Sequence, residues 1–251
     1  MPAEAIKGGS NPKRIGAWLM IPDPLVVEAV GRAGFDWVGL DLQHGAWDLE
    51  KVFRALQLLD AMRVRALVRL SQDELNLIPR VLDHGADGVI VAMLESPEVV
   101  SAAIRAARYA PEGRRSYVNP RYGMRPIPEP DDVAEVRPAI FAMIEDRAAL
   151  EKIDPIVRVP GLAGLHIGPV DLGLGLGLGM NRGGAQFNQA LQLVMAAGHR
   201  MGLPVTLHAV LGEEAMRRFE EGFDEVVVPA DIFLLRGALK EQAVLARGTS
   251  D

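Results

Sequence analysis

The chain contains no cysteine. That removes thiol nucleophiles, disulfides and thiolate-held zinc, and it accords with a reducing cytoplasm, the expected location. A basic surplus is also missing. The 33 acidic and 27 basic side chains leave a net charge of −6 and a pI near 5.5, whereas nucleic acid and anionic membranes ask for a basic face, so neither partner is expected. Met1 to Arg14 lacks the apolar core of a signal peptide. The most apolar window, Gly161 to Met180, is broken by His166, Asp171 and repeated glycine and proline, so no run suits a membrane span. No Gly-x-Gly-x-x-Gly follows the first apolar run. The turn there reads Ile21-Pro22-Asp23-Pro24, which argues against a dinucleotide-binding sheet.

What is present reads as a soluble globule, with 49% apolar and 24% charged residues in 251. Apolar runs at Ile15–Ile21, Trp37–Leu40, Ala66–Leu70, Gly88–Met93, Ile140–Ile144, Leu165–Gly168, Val205–His208 and Glu225–Val228 predict eight strands. The runs are continuous rather than alternating, as parallel strands buried on both faces are. Helical segments follow them: one opening at Pro24, then Leu49–Met62, Asp73–Asp83, Pro97–Tyr109, Arg147–Ile153, Phe187–Arg200, Glu213–Glu221 and Phe233–Ala246. Eight such units in a chain of this length predict an α/β fold, a single-domain (β/α)8 TIM barrel over residues 1–251. Two stretches interrupt the alternation. One is a long Arg-, Pro- and Gly-rich loop at about 111–130, expected to be functional, and the other a Gly-rich loop at 173–184. The Gly-Leu series in the latter lacks the Gly-Lys-Ser/Thr ending of a phosphate cradle and suits a flap with glycine hinges.

A barrel brings the carboxyl ends of its strands to one rim. Read in order, that rim carries Asp41 and His44, Arg69, Glu95, Glu145, Asp171, His208 and Asp231. Glu145 and Asp171 end adjacent strands, and two carboxylates there suit a hard divalent ion that keeps waters and substrate oxygens; the plainer reading of each is a helix N-terminal acid. Arg69 needs an anion, either a neighbouring acid or a substrate carboxylate. Asp41, three residues before His44, is near enough to orient its imidazole. Asp83 closes a helix and has a plain helix-end reading. His208 and the arginines Arg114, Arg115, Arg121 and Arg125 are either solvated or read an acidic substrate tail.

Taken together, Ala33-Gly34-Phe35-Asp36-Trp37 leading to Asp41-Leu42-Gln43-His44, the strand ending in Arg69, Val81-Leu82-Asp83-His84-Gly85-Ala86, Met143-Ile144-Glu145 and Gly168-Pro169-Val170-Asp171-Leu172 resemble the HpcH/HpaI family of class II, metal-dependent pyruvate aldolases, from about Ile15 to Ala246. The resemblance implies reversible cleavage of a 4-hydroxy-2-oxo acid to pyruvate, or a related 2-oxo acid, and an aldehyde. It implies a divalent ion (Mg2+, Mn2+ or Co2+) on Glu145 and Asp171 that chelates the 2-oxo acid. Arg69 would supply a second positive charge to the enolate, and His44 would act as base through water. Asp83 would raise the basicity of His44, with Asp41 in support, and backbone around Gly168 and Val170 would contact substrate. A homo-oligomer, trimer or hexamer, is implied as well. Gln43 and Met143 depart from the family's usual Glu and Gln, and the loop after Arg114 is unlike that of the dicarboxylate aldolases, which leaves the aldehyde partner open. Two other readings remain: a lyase splitting a malyl-type CoA thioester, and a non-catalytic barrel that binds 2-oxo acids or metal.

Overall fold

The apolar runs close on themselves. This computed structural model describes residues 13–117, 133, 135–180, 183–208 and 210–248, and within them eight parallel strands form a closed barrel in chain order. The strands are β1 Arg14–Leu19, β2 Trp37–Asp41, β3 Arg65–Ser71, β4 Gly88–Ala92, β5 Ala139–Ile144, β6 Gly164–Ile167, β7 Val205–Leu207 and β8 Glu225–Val227. Between and after them run α1 Pro24–Gly31, α2 Leu49–Ala61, α3 Ile78–Asp83, α4 Pro97–Ala107, α5 Arg147–Glu151, α6 Ile153–Val157, α7 Pro169–Gly175, α8 Ala185–Arg200, α9 Gly212–Glu220 and α10 Asp231–Arg247. The fold is the expected (β/α)8 barrel. No helix among the described residues is long and apolar enough to cross a membrane.

Local chemistry sets the helix starts. Asp23 accepts from the Leu25 amide, Asp48 from Lys51 and Asp146 from Ala149, and Ser71 with Glu74 forms a reciprocal capping box. Three details differ from expectation. A 3-10 turn, Gln72–Leu77, replaces the first half of the helix predicted from Asp73, and the segment after Arg147 is split into α5 and α6. The glycine series begins inside α7, so Gly173 and Gly175 are helical rather than hinges; the chain turns at Gly177 and Gly179, where φ is 76° and 57°. Most of the Arg-rich loop, with Arg121 and Arg125, lies outside the described residues.

Two apolar cores result. The larger lies between the sheet and its helices, while the barrel interior is filled by Trp18, Trp37, Leu67, Ile90, Phe141, Met143 and Val227. Such large rings fit because glycine faces them. Register pairs Trp18 with Gly39 and Gly16 with Trp37, and a Cβ on Gly39 or Gly16 would come within 2.5 or 2.6 Å of the indole opposite.

The amino-terminal end of the barrel is tied by aspartates. Asp36, Asp87 and Asp224 each follow a glycine at positive φ (Gly34, Gly85, Gly222), and their carboxylates accept from the amides of Ile15, Ala66 and Val205 at 2.7 to 2.8 Å. The amide of each aspartate donates in turn to the carbonyl of the same residue. An amide within the first two residues of each of β1, β3 and β7 is thus satisfied from the segment leading into the neighbouring strand.

The last helix behaves differently. Asp231 anchors it, accepting from the Met20 and Ile21 amides at 2.9 and 3.0 Å. Beyond that point Phe233, Leu234, Leu235, Leu239 and Leu245 are all exposed, and Asp231 is its one buried residue.

Candidate active site at the carboxyl ends of the strands

Register sets Asp41 of β2 opposite Arg69 of β3. Arg69 Nε donates to Asp41 Oδ1 at 2.9 Å and Nη2 to Oδ2 at 2.7 Å, both side chains being buried. Trp18 Nε1 donates to Oδ2 at 3.1 Å, and the His44 backbone amide to Oδ1 at 3.0 Å. Four donors thus saturate Asp41. Of the two anions open to Arg69 from sequence, the neighbouring acid is therefore realised, and Nη1 remains turned toward the Met143 sulfur at 4.0 Å. Asp41 does not orient the His44 imidazole: its contact with that residue is through backbone, and its oxygens are held by Arg69 and Trp18. The His44 ring stands exposed on the rim.

Glu145 follows β5 and is buried. Its Oε1 accepts from the Met93 amide at 2.5 Å, and Met93 holds a left-handed φ of 56° that is uncommon for a side chain with a Cβ. Gly168 leaves room beside it, since a Cβ there would lie 2.8 Å from Glu145 Oε2 and 2.8 Å from the Met143 methyl. Burial pushes the Glu145 carboxyl above its ordinary range, opposed by the Met93 amide and by Arg69, with the nearby Asp171 charge adding to the rise. A cation between the two acids would relieve this. Asp171 lies exposed in the first turn of α7, two residues after Pro169, and Val170 precedes it. No three acidic or imidazole side chains converge on a metal position among the described residues. Two carboxylates near enough for their charges to interact, one of them against Gly168, are of the type that suits a hard ion retaining waters and substrate oxygens.

Other expected residues are elsewhere. Asp83 closes α3 and accepts from Arg115 Nε and Nη2 at 3.0 and 2.7 Å. Burial pushes its carboxyl up, and the guanidinium pulls it back. The next strand begins only five residues later, so Asp83 lies at the amino-terminal end of the barrel, near the Asp87 clamp on Ala66, while His44 lies at the carboxyl end. Within one chain the two do not meet, because α3 returns the chain to the opposite end of the barrel. Glu95 is exposed, and Asp231 serves as the helix anchor. Reasoning from sequence missed Trp18, Met93 and His166. Only strand register reveals the first and third, and nothing in a methionine signals a left-handed turn. Hollows of about 240 and 420 Å³ flank α8 on the outer layer and hold none of the rim residues.

A relative from Klebsiella pneumoniae subsp. pneumoniae, named 5-keto-4-deoxy-D-glucarate aldolase, is 29% identical over 232 residues, 92% of this chain and 91% of its own. A structure of an HpcH/HpaI aldolase/citrate lyase family protein from Burkholderia cenocepacia J2315 superposes with a TM-score of 0.86 at 27% identity, covering 96% of both chains. The citrate synthase SbnG superposes at 0.84 with 25% identity over 94% of each. The sequence profile of the HpcH/HpaI aldolase/citrate lyase family matches residues 14–230, a span that includes every rim residue named above except Asp231, and the chain belongs to that family.

Proposed function

We propose that the protein is a divalent-metal-dependent aldolase that reversibly cleaves 4-hydroxy-2-oxo acids into pyruvate, or a related 2-oxo acid, and an aldehyde. The observation that carries this reading is the buried Glu145 carboxylate, lodged against Gly168, within the field of Asp171 and of an Arg69 that Asp41 holds in place. Glu145 and Asp171 would hold Mg2+, Mn2+ or Co2+, which when bound supplies a positive charge that draws electron density from the 2-oxo group.

The chain's own residues do the rest. Arg69 presents a fixed positive charge to the oxygen that gains charge as the carbon–carbon bond breaks, and Asp41 and Trp18 keep it from reorienting. Backbone at Gly168 and Val170 meets the substrate carboxylate. His44, on the rim, takes the proton of the 4-hydroxyl group through a water. Because the barrel separates Asp83 from His44 in one chain, Asp83 serves His44 across a contact between copies. The exposed apolar face of α10 supports such a homo-oligomer, since free chains rarely leave so many large apolar residues in water.

The test is pyruvate release by purified protein from a panel of 4-hydroxy-2-oxo acids, with keto-deoxy sugar acids of the kind named for the Klebsiella relative tried first. Release should stop on chelation and return with added Mg2+, Mn2+ or Co2+. Release that ignores chelation refutes the metal role. Activity confined to thioesters would identify a CoA-ester lyase, and binding without release a non-catalytic barrel.

A further inference from the structure

Two histidines of the barrel interior take no part in that chemistry. His166 sits on β6, in register with Met143 and Thr206, and its ring is enclosed by Trp18 and Trp37 at centroid distances of 5.6 and 6.4 Å. His208 follows β7. Its ring meets Trp18 edge-on at 4.4 Å, and its Nδ1 lies 3.2 Å from His166 Nε2. A core that needed only volume would take an apolar residue here, since a buried imidazole is costly without a partner. The pair supplies one partner each. Imidazole geometry then directs His208 Nε2 away from His166, and His208 is the half-buried member at the mouth.

The surroundings say what that nitrogen meets. β7 adjoins β6, whose carboxyl end leads to Gly168 and Asp171, while His44 belongs to β2. Strand order would therefore set a 2-oxo acid held by Glu145 and Asp171 on the His208 side of the mouth, with the aldehyde half toward His44. Burial and the positive charge of Arg69 hold both imidazoles below their ordinary range, His208 down to about 3, so the pair is neutral and shares one N–H between the rings. A neutral nitrogen that donates in one tautomer and accepts in the other matches a hydroxyl group.

We infer that His208, positioned by His166, is a substrate contact that selects a 2-oxo acid bearing an oxygen substituent on C3. This rests on the aldolase reading for the placement of the 2-oxo acid. The methyl group of pyruvate would leave the outward nitrogen without a partner, and a C3 hydroxyl group would supply one.

Hydroxypyruvate and 2-oxobutanoate differ by a hydroxyl group against a methyl group at that carbon. Titration calorimetry of each, with Mg2+ present, should show hydroxypyruvate bound about tenfold tighter or more by the wild-type protein. His208→Leu should bring the ratio close to one, and His208→Asn should keep part of it. His166→Phe should lower the ratio although His208 is intact, and His166→Gln should restore part of it, a rescue that mere packing would not give. Equal binding of the two acids by wild-type protein, binding of neither, or a ratio unmoved in both His208 variants would overturn the inference. Binding needs no turnover, so the two readings fail separately. Discrimination without carbon–carbon cleavage refutes the aldolase and keeps the inference, whereas pyruvate turnover without discrimination does the reverse.

Discussion

Asp41 grips Arg69 through both carboxylate oxygens, at 2.9 and 2.7 Å, inside the barrel mouth. Removing one member of a buried pair leaves the other charge uncompensated. Asp41→Asn should therefore destabilise the fold by about 3 kcal/mol, read by urea denaturation, and reduce turnover through a loosened Arg69. Full stability in that variant would mean that the pair is not held as described.

Gly168 determines where Glu145 can sit. Gly168→Ala sets a methyl group 2.8 Å from Oε2, so the carboxylate must shift. Metal affinity should fall by roughly 10- to 100-fold, measured by Mn2+ titration, with circular dichroism unchanged.

The neutral imidazole pair makes stability depend on pH. Native His166 and His208 refuse protons that the unfolded chain accepts below its ordinary value of 6.5. Stability is therefore fully present above that value and declines as the solution is acidified toward about 3, where native His208 also protonates. Each imidazole contributes a slope of about 1.4 kcal/mol per pH unit. The double variant His166→Phe with His208→Leu should show a shallower acid decline in denaturation curves than the wild-type protein. Parallel curves would remove the neutral pair from the account.

Phe233 and Leu239 project from a helix face that the other described residues leave uncovered. In the proposed homo-oligomer, replacing both with aspartate should give a smaller species in light scattering than the wild-type protein, because an interface core does not accept unpaired charge. Unchanged mass would show that α10 is not the joining element.

Asp83 and His44 occupy opposite ends of one barrel. Variants His44→Ala and Asp83→Ala, each inactive by itself, should regain a part of wild-type activity when unfolded together and refolded as mixed oligomers. Mixtures as inactive as the parents would remove Asp83 from the mechanism.

The strand order, the barrel and the rim acids were legible because strands buried on both faces leave continuous apolar runs, and Glu145 and Asp171 stand just beyond such runs. Other features depend on register, which periodicity does not carry. Spacing couples Asp41 to His44, yet pairing of β2 with β3 sets it opposite Arg69. The first apolar run extends to Ile21, but β1 ends at Leu19 because the amides of Met20 and Ile21 are taken by the Asp231 side chain, 210 residues away in sequence. Trp18 and Trp37 look like ordinary core residues until the glycines facing them are known. The left-handed Met93 had no signal at all.

The Asp36, Asp87 and Asp224 clamps make the barrel modular. Each joins the strand it precedes to the strand before, so β1 with β2, β3 with β4 and β7 with β8 are each fastened by a side chain at the amino-terminal end, while among the described residues β5 and β6 are joined there through backbone. The pair containing Glu145 and the approach to Asp171 is thus the one without an aspartate fastening. The closed end serves as a chassis that can stay constant while the open end is rebuilt for a different substrate.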